Sequence, residues 1–169
     1  GLGRRPSGGI DVSTDPGRWD ALAARVGEPL GASEPQVLTQ AMVDQHADTT
    51  GDAQWIHNDP ERARREGPFG GPIVQGFLLL SLFTAHAGAI GLGALGPITM
   101  GVNYGFDRVR FHAPVPVGAA VRTAVSLGEV RPTSDGSAVV GIDVVVEVLA
   151  DDGTATPAAT ARWLFLAVP

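Results

Sequence analysis

Apolar and polar positions change rhythm partway along the chain, dividing it into a helical part and a strand part. Arg18 to Val26 reads as a short amphipathic helix, followed by an extended piece from Pro29 to Leu38. Thr39 is suited to cap a helix from Gln40 to about Asp48, with Met42, Val43 and Ala47 on its apolar side. Asp59 to Glu66 reads as a charged surface helix with Pro60 at its first position and Gly67 at its end. From Ile73 to Ile90 apolar residues occur all round the helical wheel, which predicts a long helix buried on nearly all sides. From Ile98 onward the period is that of strands. Turn residues at Pro114–Gly118, Thr133–Gly136 and Asp151–Gly153 separate four, near Thr99–Ala113, Ala119–Arg131, Ser137–Ala150 and Ala158–Val168. Their short connections predict hairpins, and so an antiparallel sheet.

With Pro29–Leu38 the sheet has five strands, and it can bury one long helix only by curling around it. This is an α+β arrangement, in the element order of a hot-dog fold. A chain of 169 residues is long enough for one core. Residues 1–10 are expected to be a disordered tail or a cloning remnant, and residues 11–169 a single domain. No Asp, Glu, Lys or Arg occurs between Glu66 and Asp107, which raises the question of a membrane span. Gln75, Ser81, Thr84 and His86 inside the apolar run, and the strands around it, favour a buried helix and no membrane span.

A net charge of −6 argues against nucleic-acid binding, which needs a cationic surface. All 12 basic residues are Arg and there is no Cys, so Schiff-base lysines, thiol nucleophiles and thiolate metal sites are excluded. The four His show no paired metal-ligand spacing, and no metal is expected. No secretory signal is visible, and a cytoplasmic location is expected.

Between two predicted helices, Thr50-Gly51-Asp52-Ala53-Gln54-Trp55-Ile56-His57-Asn58-Asp59 sets a carboxylate five residues from an imidazole. Such a pair could share one water as acid and base. It could equally cap the local turn and the next helix. Phe69-Gly70-Gly71-Pro72-Ile73-Val74-Gln75-Gly76 is a glycine-rich approach to the long helix. A first-turn amide such as that of Gly76 lacks a partner within its helix and can hold an oxyanion. Alternatively, the glycines simply permit close packing.

Taken together, Thr50-Gly51-Asp52, Ile56-His57, Asp59, Ala63, Phe69, Pro72-Ile73 and Gly76 resemble, in order and spacing, the hydratase 2 motif of MaoC-like (R)-specific enoyl-CoA hydratases and dehydratases. The resemblance continues through Asn103-Tyr104-Gly105-Phe106 and Val109–Gly118, and covers roughly residues 28 to 168. It implies a hot-dog homodimer joined edge to edge that takes an acyl-CoA or acyl-carrier-protein thioester at the subunit interface, without a further cofactor. It further implies Asp52 and His57 as the catalytic pair on water and Gly76 as the amide receiving the thioester oxygen. Gln75, Thr84, Trp55, Phe69 and Asn103 are expected at the substrate. Thr84 stands where some members carry Ser, and either meets the carboxylate or bonds the carbonyl one turn back.

Two positions depart from the motif. Gln54-Trp55 replaces a frequent Asn-Pro, and Gln75 stands where a His commonly precedes the glycine. The expected activity is hydration of trans-2-enoyl thioesters to (R)-3-hydroxyacyl thioesters. The alternatives are a dehydratase, isomerase or cyclase on a carrier-bound intermediate of specialised metabolism, and a non-catalytic hot-dog partner. His46 is expected to be a solvated helix residue and His86 a satisfied core histidine, while Arg62, Arg64, Arg65, Arg108 and Arg110 are candidate contacts for the phosphates of coenzyme A or phosphopantetheine, with a solvated face and strand-edge salt bridges as the preferred reading of each.

Overall fold

The computed structural model describes residues 17–96 and 98–169, apart from the side chains of Leu92 and Ala94. The tail expected at residues 1–10 lies outside the described residues. Among the described residues five helices are formed: α1 (Gly17–Ala23), α2 (Gln40–Thr50), α3 (Trp55–Asn58), α4 (Pro60–Glu66) and α5 (Gly76–Ala94). Short strands β1 (Pro29–Ala32) and β2 (Gln36–Val37) lie between α1 and α2, and β3 (Met100–Phe111), β4 (Ala120–Pro132), β5 (Ala138–Leu149) and β6 (Ala155–Val168) complete the chain.

All strands pair antiparallel in the order β1-β4-β5-β6-β3, with β2 also on β4. Among the described residues the sheet therefore has six strands, not five. Pro29–Leu38 is two pieces because Pro35 cannot donate to the ladder. Ser33 keeps the break against β4: its amide donates to the Thr123 carbonyl (2.8 Å) and its hydroxyl accepts from the Thr123 amide (3.1 Å).

The hairpin expected between β3 and β4 does not form. β3 pairs with β6 at the far edge, and residues 112–119, with Pro114 and Pro116, carry the chain across. β6 begins three residues earlier than its apolar run suggests, because Pro157 is accommodated beside a register shift at Val146/Glu147.

The long helix is shifted too. Ile73 and Val74 are extended, held by an Ile73–Pro116 bridge and a bond from the Val74 amide to the Val115 carbonyl (2.8 Å). Helix α5 then buries Leu79, Phe83 and Ala87 against Val121, Val125, Ile142, Val144 and Phe165 of the sheet. A Cβ on Gly91 would lie 2.7 Å from the Ile142 Cδ1 atom, so a larger residue there would force this buried side chain to shift. Burial is one-sided, contrary to the sequence expectation, since Phe77, Ser81, Thr84, Ala85 and Ala89 remain exposed. Their stripe is uncovered because β3, at the sheet edge, does not fold over it, and β3 is itself exposed along nearly its whole length. No described helix is long and apolar enough to cross a membrane.

Candidate active site

His57 sits in α3, a single turn that the sequence reading takes for loop. Its ring is 7% exposed, and its Nδ1 atom lies 2.6 Å from the Ile73 carbonyl oxygen. A carbonyl can only accept, so Nδ1 carries the proton and Nε2 of the neutral ring keeps its lone pair. The Ile73 amide donates in turn to the Ile56 carbonyl at 3.0 Å, so one residue clips both ends of the His57 dipeptide. From α2, Gln40 Nε2 donates to the His57 carbonyl (2.8 Å) and to Asp44 Oδ1 (2.9 Å). Asp44 Oδ1 also accepts from Asn58 Nδ2 at 2.7 Å. A carboxylate thus ties the turn carrying the imidazole to a longer helix.

Asp52 follows the end of α2, where Gly51 adopts a left-handed φ of 79° that favours glycine. The Asp52 amide donates to the Thr50 hydroxyl oxygen at 3.3 Å. Its half-buried side chain lines a cavity of about 770 Å³ together with His46, Phe77, Leu80, Thr84, Asn103 and Phe106. His57 lines a second cavity of about 420 Å³ with Phe69, Gly76, Phe77, Phe111 and His112. Phe77, exposed by 71%, is common to both linings, so the two catalytic candidates face adjoining cavities across one ring.

Gly76 opens α5, and among the described residues no acceptor meets its amide. A Cβ there would stand 2.9 Å from the Phe111 ring, so this glycine also provides close approach. Close packing at this glycine thus leaves its amide free of any described acceptor.

The remaining expected contacts divide. Thr84 and Asn103 line the Asp52 cavity, and Phe69 lines that of His57. Thr84 makes neither of its expected bonds, whereas Asn103 Oδ1 accepts from Trp163 Nε1 at 2.8 Å. Trp55 lines neither cavity; the Arg62 guanidinium lies 4.6 Å from its ring centroid and pins α3 to α4. Gln75 is fully buried, donates from Nε2 to the Val43 carbonyl (3.1 Å), leaves Oε1 unpaired and lines neither cavity.

Phe77, Leu80, Phe106 and Phe111 were not among the expected site residues, although aromatic residues outward on an edge strand are a readable signal. His46 is half-buried in the Asp52 cavity, not a freely solvated helix residue. His86 is satisfied, with Nε2 donating to Gln36 Oε1 (2.7 Å) and Nδ1 bonded to the Thr123 hydroxyl (2.9 Å); burial pushes its pKa down. Arg62 and Arg65 pair with Glu66. The described residues hold no cluster of three or more potential metal ligands.

Residues 21–148 match the family model described as MaoC like domain. Nodulation protein N of Rhizobium leguminosarum bv. viciae is 43% identical over 143 residues, covering 85% of this chain and 86% of that protein. A protein named 3-hydroxyacyl-thioester dehydratase Z, from Mycobacterium tuberculosis, is 42% identical over 141 residues, covering 83% and 89%. Among solved structures, an (R)-hydratase from A. caviae involved in PHA biosynthesis superimposes with a TM-score of 0.64 at 25% identity, covering 85% of this chain and 96% of that one. With its antiparallel sheet packed on a long helix, its motif residues at adjoining cavities and these similarities, the chain belongs to the MaoC-like dehydratase family of hot-dog fold.

Proposed function

We propose that the protein is a hydro-lyase that reversibly adds water across the C2–C3 double bond of a trans-2-enoyl thioester, giving the (R)-3-hydroxyacyl thioester. The observation carrying this reading is the fixed tautomer of His57, which leaves a basic Nε2 on a nearly buried ring beside the unpartnered Gly76 amide. Similarity to a 3-hydroxyacyl-thioester dehydratase and an (R)-hydratase supports it.

Water is held between Asp52, which accepts one of its hydrogens, and His57 Nε2, which takes a proton as the oxygen bonds to C3. Charge moves to the thioester oxygen, which the Gly76 amide receives. The proton held by His57 then passes to C2, restoring the neutral base and balancing the addition of H and OH. Neither redox chemistry nor a metal enters this sequence. The substrate brings its own handle, coenzyme A or a carrier protein's phosphopantetheine, and the reaction belongs in the cytoplasm with such thioesters.

Substrate spans both cavities over Phe77, and a second copy of the chain covers them. The exposed Met100, Val102, Tyr104 and Phe106 of edge strand β3, beside Phe77 of α5, support a homodimer through this face. The activity is tested by following loss of enoyl-thioester absorbance with crotonyl-CoA, beside an Asp52→Asn control, and the dimer by light scattering. No turnover by a folded dimer on either crotonyl-CoA or a carrier-bound crotonyl group would overturn the reading.

A further inference from the structure

We propose that a third cavity, beside Arg64, binds the phosphate of the pantetheine arm, which sets the direction in which substrate lies. This rests on the thioester reading above. The cavity, of about 370 Å³, is lined by Gln40, Arg64, Phe69, Gly70, Gly71 and Pro116, among others, and no carboxylate among the described residues lines it. Phe69 lines this cavity and the His57 cavity, as Phe77 lines the His57 and Asp52 cavities. Three cavities therefore follow one another, with His57 and Gly76 in the middle one.

The outer two differ in chemistry. Beyond Phe77 lie Leu80 and Phe106, which suit an acyl chain. Beyond Phe69 lies a guanidinium. Its neighbours Arg62 and Arg65 are paired with Glu66, whereas among the described residues no carboxylate pairs with Arg64. Nor does any described residue accept from the amides of Gly70 and Gly71. Gly70 has a left-handed φ of 76°, and the Arg64 stem lies over Gly71, its Cγ 3.9 Å from where a Cβ would stand. Free backbone amides with an unpaired Arg at one cavity are a combination that suits a phosphate. Gln40 is occupied by Asp44 and the His57 carbonyl, so Arg64 supplies the charge.

The test compares crotonyl-CoA, crotonyl-pantetheine, which lacks the phosphate, and a crotonyl group on a phosphopantetheinylated carrier protein. In Arg64→Gln, KM should rise about tenfold or more on both phosphorylated substrates, as loss of a charge-assisted bond predicts, with kcat unchanged. KM on crotonyl-pantetheine should not move, and Arg64→Lys should recover part of the loss. An equal change on all three substrates, or none on the phosphorylated two, overturns the proposal. A loss confined to crotonyl-CoA also overturns it and points to the nucleotide portion. If the wild-type protein turns over none of them, calorimetry with 4′-phosphopantetheine and pantetheine separates the two ideas. Tighter binding of the phosphorylated compound, lost in Arg64→Gln, keeps the phosphate site while the hydratase reading falls. Equal binding, or no binding of either, overturns the site itself.

Discussion

The Nδ1 atom of His57 and the carbonyl oxygen of Ile73 stand 2.6 Å apart, joining the turn that carries this imidazole to the extended strip leading into α5. Three residues after Ile73 comes Gly76, so the proposed base and the proposed oxyanion donor are held by one short piece of backbone. The same contact selects the imidazole tautomer.

Removing either member of the proposed pair should abolish most turnover without unfolding the protein. Asp52→Asn and His57→Ala are each expected to lower kcat by about 10²-fold or more, the range for positioned acid–base groups. Thermal melts of Asp52→Asn should stay close to wild type, since the Asp52 carboxylate bonds to no described residue, whereas His57→Ala, which loses the bond to the Ile73 carbonyl, should melt lower while still folding. Near-wild-type rates in both would place the chemistry elsewhere.

Asp44 touches neither cavity yet accepts from both Gln40 and Asn58, so Asp44→Ala should loosen the turn that aims His57. The expected result is a fall in kcat with little change in KM. Asp44→Asn, which keeps one acceptor, should recover part of the rate. Steady-state kinetics of the three proteins check this, and equal loss in both variants would argue for a purely electrostatic role.

A methyl group at Gly76 would collide with the Phe111 ring at 2.9 Å. Gly76→Ala should cost about 1–3 kcal/mol in urea denaturation, the usual range for overpacking. Because Phe111 is 50% exposed, its removal is inexpensive, and Phe111→Ala should restore much of the lost stability in the double variant. Additive losses would show that the ring is not the obstacle.

His86 links α5 to β2 and β4 in its neutral form, and burial lowers its pKa from the ordinary value of 6.5. As pH falls below that value the unfolded chain takes up the proton first, so the unfolded state gains. The contribution is intact above about pH 6.5 and is lost on acidification toward the lowered folded value. Chemical denaturation between pH 7.5 and about 5.5 should show a steeper fall in wild type than in His86→Gln. Parallel curves would remove His86 as the titrating group.

Much of this molecule was legible in local sequence, and the reason is that its clearest signals are local. Thr39 does cap α2, accepting from the Met42 amide, and Asp59 caps α4 by accepting from the Arg62 amide. The turn residues flanking β4 and β5 placed the ends of both strands within two residues, because turn chemistry is local. The motif residues themselves could be named only through family resemblance, since spacing left capping roles open.

Tertiary structure decided the rest. Ile73 and Val74 look helical by hydropathy but are extended, because carbonyls at Ile56 and Val115, distant in sequence, accept their amides. Gln75 reads as a pocket residue but is drawn inward by the Val43 carbonyl. That β3 would end at the edge beside β6 depends on long-range pairing, and this leaves Phe77 and its stripe of α5 uncovered. Sequence by itself determined most of the segments that fold and, through family resemblance, which residues are proposed to carry chemistry. Which of them share a cavity, and which nitrogen of His57 is left to act, follow from contacts between segments that no local pattern encodes.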